Sequence, residues 1–497
     1  MDRLELLKDI SFGARVAEEE TAELASYFVE TDQWDRRFRG EVDVIKGEKG
    51  AGKSAIYALL VAKTNELFDK RILLITAERP RGTPVFKELV ADPPASEAEF
   101  IGLWKLYILT LIAQTIHEYG VNNEHLTRLR GYLADQGFIE KELNLNRLLK
   151  TSFEYVRSYF RPKLLEATAT IDPVTGKYSF SGKIMPGEPD AKERSLGHIS
   201  IDDLAALAEK ALAEANFQTW VLLDRLDVAF AETHELEKNA LRALFRVYRD
   251  FGGFDHIKLK IFIRSDIWKR IVDEGFREAS HITRDVVLDW STSALLNLIV
   301  RRILKNSALI KEWKIDRDAV LRSSAAQTDL FYRVFPKQVD QGPQKPATLA
   351  WILSRCADAT DKTAPREVIH LLNTIREEEV RRIEHGGSAS ENTLFDRSVF
   401  KAALPAVSKA RLVQTIYAEY PDTEPFLSKF KGEKTEHTVA SLAALWKVPN
   451  VVALSKAEEL VEIGFFQKRG SREAPTFWVP FLYRDALEMI QGKAEDE

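Results

Sequence analysis

One stretch of the chain, Gly47-Glu48-Lys49-Gly50-Ala51-Gly52-Lys53-Ser54, has the residue types and the spacing of a phosphate-binding loop. It satisfies the pattern G-x-x-x-x-G-K-[ST]. In such a loop, glycines let backbone N–H groups turn towards phosphates, and the helix that follows adds its positive end. Lys53 reaches the β- and γ-phosphates, and the Ser54 hydroxyl ligates Mg²⁺. We therefore predict that residues 47–54, together with Ile56, bind ATP and Mg²⁺.

A magnesium nucleotide also needs a carboxylate at the end of a buried strand. The sequence WVLLD supplies one, and it makes Asp224 the predicted Mg²⁺ ligand, acting through water. Arg225 follows directly, so the next acid, Asp227, is the candidate general base that orients the attacking water. The structural alternatives are a strand-end turn residue for Asp224 and a helix N-cap for Asp227.

The elements that must position these residues alternate between strand and helix. Short apolar strands are separated by helical segments, which predicts a mostly parallel sheet covered on both faces. The predicted strands are Val42–Ile45, Arg71–Ala77, Trp220–Leu223, Lys258–Ile263 and Asp285–Leu288.

The remaining chain divides into segments of different pattern. Residues 1–40 are predicted to be helical, and 41–290 form the ATPase core. An insertion at about 122–200 contains a β-hairpin around 172–176. Residues 291–392 are helical, and 393–497 read as helices followed by a two-stranded wing, the outline of a winged-helix domain.

The order of the P-loop, WVLLDRLD, KLKIFIRSDIW and DVVLDWS resembles the AAA+/STAND division of P-loop ATPases, and the DxLD sequence is similar to that of KAP-type NTPases. More closely, the chain resembles a bacterial Sll1717-type group of P-loop ATPases across most of its length except the insertion. The motifs that carry this likeness are Phe12-Gly13, Ala17-Glu18, Tyr27-Phe28 and Val479-Pro480-Phe481-Leu482-Tyr483-Arg484. The resemblance implies an α/β P-loop NTPase core with a helical lid and a C-terminal winged helix.

The resemblance also implies roles for three arginines. Arg264 occupies the sensor-1 position, Arg366 the sensor-2 position, and Arg284 the place of an arginine finger that acts on a neighbour's nucleotide. A surface arginine is the structural alternative for each, and it is favoured for Arg284. Phe28 and Trp34 precede the P-loop, where an aromatic ring can cover adenine; a core role is favoured for both.

Composition narrows the classes of function. The 497 residues carry 71 Lys and Arg against 76 Asp and Glu, which argues against a basic coat for nucleic acid but leaves room for one small basic face. The single cysteine, Cys356, and nine dispersed histidines disfavour a disulfide framework or a multi-ligand metal site. The N-terminus has no apolar leader segment, and 103–113 is too short to span a bilayer. We expect a cytoplasmic protein without a membrane partner.

The charge of the last domain does not decide between a DNA partner and a protein partner. From Phe395 onward there are 14 Lys and Arg and 15 Asp and Glu. Lys468, Arg469 and Arg472 on the wing could touch phosphates, but a solvated turn or a protein-docking wing is favoured. The predicted function is Mg²⁺-dependent ATP binding and hydrolysis by a conformational switch or remodelling subunit in bacterial defence. It would work as a homo-oligomer or with an effector protein. The alternative is a DNA-associated ATPase that binds through its winged helix.

Overall fold

The computed structural model describes residues 2–15, 20, 39–77, 97–136, 138–139, 169–171, 178–180, 200–224, 234–273, 275–388 and 392–495. Several predictions made above lie outside these residues: those on Ala17, Glu18, Tyr27, Phe28, Trp34 and Asp227.

Strands and helices alternate through the first part of the described chain. In chain order they are α1 (Arg3–Asp9), β1 (Val44–Gly47), α2 (Lys53–Ala62), α3 (Thr64–Asp69), β2 (Ile72–Thr76), α4 (Glu97–Glu118), α5 (Glu124–Asp135), β3 (Ala169–Ile171), β4 (Tyr178–Phe180), α6 (Ile201–Ala215), β5 (Gln218–Leu223), α7 (His234–Phe251), β6 (Ile257–Arg264), α8 (Ser265–Asp273) and β7 (Asp285–Leu288).

After β7 the described chain is mainly helical until its last domain. The elements are α9 (Thr292–Ile303), α10 (Ser307–Trp313), α11 (Arg317–Arg322), α12 (Ser324–Val334), α13 (Thr348–Cys356), α14 (Pro365–Glu384), α15 (Ser398–Arg411), a π-helix (Leu412–Tyr417), α16 (Glu424–Leu427), β8 (Lys434–Thr438), α17 (Val439–Trp446), α18 (Asn450–Glu462), β9 (Gln467–Gly470), β10 (Pro475–Trp478), α19 (Phe481–Arg484) and β11 (Ile490–Lys493).

The described residues pack as two compact units. One, called here the P-loop unit, holds the N-terminal helix, residues 47–58 and the chain from Leu288 onward. The other, called the sheet unit, holds the described residues between 39 and 46 and between 59 and 287. The bounds of the four segments predicted from the sequence remain predictions.

A five-stranded sheet in the order β2-β5-β6-β1-β7 organises the first part of the chain. β5 pairs parallel with β2 and with β6. Five of the six residues of β5, from Thr219 to Leu223, are buried, as expected for a strand covered on both faces. The fold is therefore the predicted α/β P-loop fold with a parallel sheet.

The helices of the sheet unit cover this sheet through one apolar core. α4 is buried along most of its length, and the Trp104 indole N–H donates a 2.9 Å hydrogen bond to the Ala240 carbonyl of α7. By length and composition, α4 is the one described helix that could span a membrane, but 83% of its apolar window is buried inside the protein. Such burial is that of a core helix.

Part of the predicted insertion belongs to the same core. α5 begins at the N-cap Asn123, whose side chain accepts a hydrogen bond from the Leu126 N–H. Leu126, Leu129 and Leu133 of α5 are buried with α4 and α6. Further along, β3 and β4 pair antiparallel, with Thr170 opposite Ser179.

In the P-loop unit, the N-terminal segment is held by side-chain amides. Asn373 of α14 donates to the Gly13 carbonyl at 2.7 Å and accepts from the Phe12 N–H at 3.2 Å. Gly13 has φ +83°, and a Cβ there would lie 1.9 Å from the Arg302 guanidinium, so glycine is required. The Phe12-Gly13 motif thus serves to attach this segment to the helical region.

The C-terminal domain is a winged helix. α17 and α18 are joined by a turn in which Lys447 is left-handed, and α17 starts with a capping box between Thr438 and Ser441. A second sheet, in the order β11-β8-β10-β9, includes the antiparallel wing β9–β10. Buried aromatic side chains fill its core: Phe430, Trp446, Phe465, Phe466, Phe477 and Tyr483.

Candidate functional site

The phosphate-binding motif has the strand–turn–helix context that its chemistry needs. β1 ends at Gly47, and α2 begins at Lys53. Between them Gly50 and Gly52 have φ of +82° and +100°, which L side chains rarely adopt, so both positions need glycine. A Cβ at Gly47 would lie 3.0 Å from the Leu288 Cβ, so this position is crowded as well. The backbone therefore folds into a tight loop at a helix N-terminus.

Lys53 points into this loop. Its ammonium donates to the Gly47 carbonyl at 2.7 Å and to the Glu48 carbonyl at 3.0 Å. Ser54 lies in the first turn of α2 and is half-buried, and Ile56 is buried beneath it. A cation held across the loop, beside the N–H groups that begin a helix, is the arrangement that receives a phosphate.

A tryptophan that sequence reasoning did not assign to the site supports the loop. The Trp290 indole N–H donates to the Ala51 carbonyl at 2.8 Å, and a Cβ at Gly52 would lie 3.9 Å from the Trp290 ring. Trp290 lies two residues after the strand DVVL. In this part of the chain the resemblance directed attention to Arg284 as an arginine finger and not to a residue that supports the loop.

The variable residues of the loop are tied to segments far along the chain. Glu48 forms an ion pair with Lys362 at 3.1 Å. Lys49 forms an ion pair with Glu419, and its ammonium donates to the Gln414 carbonyl of the π-helix at 3.3 Å. The ends of the Lys49 pair are 28% and 16% exposed, so water screens it only in part. The motif predicted a role for these two residues in binding phosphate, but it could not predict their partners.

The predicted sensor-2 arginine lies against the same loop. A Cβ at Gly50 would lie 3.1 Å from the Arg366 Cβ, so the first turn of α14 packs directly on the glycine turn. Arg366 makes no hydrogen bond or ion pair to any other residue that the structure describes, and its buried Nε has no partner there. A half-buried guanidinium in this state is suited to bind an anion.

Arg366 lines a cavity of about 420 Å³ formed by α14, α15, the π-helix and Arg15. Arg15 donates to the Gln414 side chain at 3.1 Å, and Arg411 pairs with Glu367 at 3.1 Å. Burial and the nearby Arg15 lower the pKa of His370 to about 4, so His370 is neutral at pH 7. The cavity is therefore lined by more positive than negative charge, and we call it the arginine cavity.

Asp224 and Arg264 lie in the sheet unit. Asp224 directly follows β5 and is half-buried, and Arg264 ends the neighbouring strand β6. The Arg264 guanidinium binds Asp266 with two bonds, of 2.7 and 3.0 Å. Both residues are at the carboxyl edge of the parallel sheet, where ligand sites of α/β proteins lie. Their predicted roles remain predictions.

No group of three or more His, Cys, Asp and Glu side chains among the described residues is placed to hold a metal by itself. Mg²⁺ is usually held by one or two protein oxygens together with phosphate and water, so a nucleotide-bound ion does not require such a group. Cys356 is a free, buried thiol whose pKa is raised by burial, which is the structural role expected for it.

Arg284 is held by its own chain. Its Nε donates to the Asp43 carboxylate at 2.7 Å, and its Nη2 donates to the Gly40 carbonyl. The side chain is 49% exposed. Asp43, buried just before β1, is a residue that sequence reasoning missed.

The basic residues of the wing are partly engaged. Lys468 pairs with Glu458 of α18 at 2.9 Å. The guanidinium of Arg469 lies 3.8 Å from the centre of the Trp478 ring and also binds Gln467. Arg472 is exposed. α18 is the helix that would enter a DNA groove. It exposes Val451 and Val452, whose apolar side chains do not bind phosphates.

Comparison with known proteins gives a weak likeness in fold. No family model matches the chain, and no curated protein matches it significantly. Among solved structures, the ORC1 protein of Aeropyrum pernix in complex with DNA is 13% identical, covering 95% of this chain and 91% of that one, with a TM-score of 0.35.

Two further structures give similar values. The Walker-type ATPase PABY2304 of Pyrococcus abyssi is 10% identical, with 92% of this chain and 95% of that chain covered and a TM-score of 0.39. Cdc6p of Pyrobaculum aerophilum is 11% identical, with 90% and 86% covered and a TM-score of 0.29. At these scores the likenesses carry no argument about function.

Proposed function

We propose that this chain binds ATP with Mg²⁺ at residues 47–54 and hydrolyses the γ-phosphate. The observation that carries the proposal is the position of the Lys53 ammonium, 2.7 Å from the Gly47 carbonyl inside a glycine turn that opens α2. A phosphate oxygen in that turn would take over as the acceptor for Lys53.

The proposal gives each predicted site residue a role. The N–H groups of the loop and of the first turn of α2 hold the phosphates, and Lys53 stabilises the charge that develops on them. Ser54 and Asp224 are the proposed protein ligands of Mg²⁺, which would neutralise phosphate charge when bound. Asp227 is the proposed residue that orients the attacking water, with Arg264 and Arg366 as further sources of positive charge.

The arginine cavity supports a ligand that extends beyond the loop. Arg366 is adjacent to Gly50, and its guanidinium has no partner among the described residues. A volume of about 420 Å³ is within the range of small-molecule sites. We propose that Arg366 contributes to nucleotide affinity from this side.

The test is Lys53→Ala, with Lys63→Ala as the matched control just beyond the end of α2. Lys63 forms a partly exposed ion pair with Glu66, at 3.1 Å. We expect Lys53→Ala to abolish ATP binding or turnover, measured with a fluorescent ATP analogue and by phosphate release in Mg²⁺, and Lys63→Ala to retain both. Unchanged binding and hydrolysis in Lys53→Ala would contradict the proposal.

We propose further that nucleotide occupancy acts as a conformational switch. Lys49 joins the loop to Glu419 and to the π-helix that follows α15, so a change in the loop is transmitted to the start of the winged-helix domain. These contacts of Lys49 favour slow basal ATP turnover, because they hold the loop through residues that take no part in the chemistry.

Replacing Lys49 with Met should raise the basal ATPase rate about two- to fivefold, since a partly screened ion pair contributes about 1 kcal/mol or less. Lys362→Met, which removes only the exposed pair with Glu48, is the control and should change the rate less. The measurement is steady-state phosphate release, combined with hydrogen exchange of residues 412–419 with and without ATP. A Lys49→Met rate at or below wild type, with exchange indifferent to ATP, would argue against the switch.

A DNA-associated ATPase remains the second candidate, and the observation that favours it is the winged-helix fold with Arg472 exposed on the wing. Binding that weakens with salt and is lost on neutralising Lys468, Arg469 and Arg472 would support it. The pairing of Lys468 with Glu458 partly neutralises one of these three cations. The Sll1717-type identity, a cytoplasmic location and a role in bacterial defence rest on sequence resemblance and composition alone.

A further inference from the structure

The residue just before β1 is held on both sides by its backbone. The Asp43 N–H donates to the Arg284 carbonyl at 2.7 Å, and its carbonyl accepts from the Ile261 N–H of β6 at 2.8 Å. Asp43 thus lies between β6 and the segment that leads into β7. Gly47, where the phosphate-binding motif begins, follows four residues later.

The Asp43 side chain collects three donors from three segments. It accepts from the Lys260 ammonium at 2.7 Å, from the Arg284 Nε at 2.7 Å and from the Tyr248 hydroxyl at 3.2 Å. Asp43 and Lys260 are 4% and 3% exposed, so their charges are shielded from water. Lys260 also lies 4.4 Å from the centre of the Trp220 ring. We call these residues the Asp43 cluster.

The remaining donors of the two cations are directed at one turn. Lys260 donates to the Val42 carbonyl at 2.8 Å and to the Gly40 carbonyl at 3.2 Å, and Arg284 also donates to Gly40. Gly40 has φ +79°, and a Cβ there would lie 2.8 Å from the Trp220 ring. The turn that leads into β1 is therefore held by the same two side chains that neutralise Asp43.

We infer that Asp43 and Arg284 form a positioning pair within one chain, which sets the start of β1 and through it the phosphate-binding loop, and that Arg284 does not act on a neighbouring copy. An arginine finger must leave its own subunit with its guanidinium available. Here that guanidinium is engaged by a buried carboxylate and a carbonyl of its own chain. The inference rests on the proposed ATPase function for its kinetic readout but not for its structural one.

The kinetic test mixes the variants Lys53→Ala and Arg284→Gln. Lys53→Ala keeps Arg284 but lacks the loop lysine, and Arg284→Gln keeps the loop. If Arg284 acted in trans, the mixture would recover activity, because the first protein would supply an arginine to the second. We expect the mixture to give no more than the sum of its parts. A gain of severalfold on mixing would overturn the inference.

The balance between KM and kcat gives a second readout. Loss of an arginine finger lowers kcat about 10³-fold or more. Loss of a positioning residue should instead raise KM for MgATP up to about tenfold, with kcat nearly unchanged. Arg284→Lys, which retains one donor for Asp43, should lie between wild type and Arg284→Gln. A collapse of kcat at unchanged KM would contradict the positioning role.

The structural test does not depend on hydrolysis. Urea unfolding of wild type, Asp43→Asn, Arg284→Gln and the double variant forms a thermodynamic cycle. We expect the double variant to lose clearly less free energy of unfolding than the sum of the losses in the two single variants. Additive losses would show that the pair is not coupled and would overturn the inference, whether or not wild type hydrolyses ATP. If the pair is coupled but the wild type does not bind ATP, the proposed function is wrong and the inference about the pair stands.

Discussion

Two regions of the molecule bring cationic side chains together, and they differ in what the charges do. In the Asp43 cluster, Arg284 and Lys260 share a buried carboxylate, and further donors of both bind carbonyls. In the arginine cavity, Arg366 has no partner among the described residues, although it is half-buried and its Nε is out of contact with water. An ordered but unsatisfied cation costs free energy, which a bound anion would restore.

The difference shows how a structure separates binding residues from scaffolding where a resemblance implies a catalytic role for both arginines. Both Arg284 and Arg366 occupy positions at which the resemblance implied catalytic roles. The electrostatic state of each side chain distinguishes them: a satisfied guanidinium holds structure, and an unsatisfied one is ready to bind. Three substitutions test this distinction.

The largest effect is expected in the Asp43 cluster. Asp43→Ala should lower the free energy of unfolding by about 3–5 kcal/mol, because it leaves Lys260 buried without its carboxylate. The double variant Asp43→Ala/Lys260→Met should recover part of that loss, since it removes both buried charges. Urea denaturation curves measure both. If Asp43→Ala were as stable as wild type, the cluster would not be scaffolding.

A smaller effect, on ligand binding and not on stability, is expected at Arg366. Arg366→Ala should weaken ATP binding by about 1.5–3 kcal/mol, the value of a hydrogen bond to a charged group, and should leave the unfolding midpoint close to that of wild type. Arg333→Ala is a control outside the cavity, where the guanidinium stacks on Trp313 at 4.4 Å. Titration with a fluorescent ATP analogue and urea denaturation separate the two readouts. A large loss of stability with unchanged affinity would place Arg366 with the scaffolding.

The smallest effect concerns pH in the arginine cavity. The pKa of His370 is about 4 in the folded chain against an ordinary 6.5, so the unfolded chain binds its proton first as pH falls. His370 therefore lowers the stability as pH drops from about 6.5 towards 4, and it contributes no pH dependence above that range. His370→Gln should show a shallower loss over this window. Equal slopes in wild type and variant would indicate that His370 is not buried beside Arg15.

Local pattern predicted many elements to within a few residues. The helix expected to follow the glycine turn spans Lys53–Ala62, and the strand expected at Lys258–Ile263 spans Ile257–Arg264. These elements follow from periodicity and from glycine placement, which act over a few neighbouring residues. The wing was recognised for the same reason: Gln467–Gly470 pairs with Pro475–Trp478 across a short turn.

Partners distant in sequence were not predictable. Nothing around Lys49 indicates Glu419, and nothing around Ala51 indicates Trp290, because such pairs exist only after the helices have packed. The motif assigned Glu48 and Lys49 to phosphate binding through their backbone, which leaves their side chains open to a second use. The contact of the Lys49 side chain with the π-helix is such a second use.

The sequence alone was enough to predict the strand, the glycine turn with its lysine and the helix of the phosphate-binding motif, because these parts are contiguous and their geometry is local. Only the tertiary structure decided which cations are available to a ligand. Arg284 is paired with a carboxylate 241 residues away, and Arg366 packs on the loop with no partner among the described residues. The sequence gives the number of charged residues. Whether a charge is neutralised depends on its distance from an opposite charge, which is set only when the chain folds.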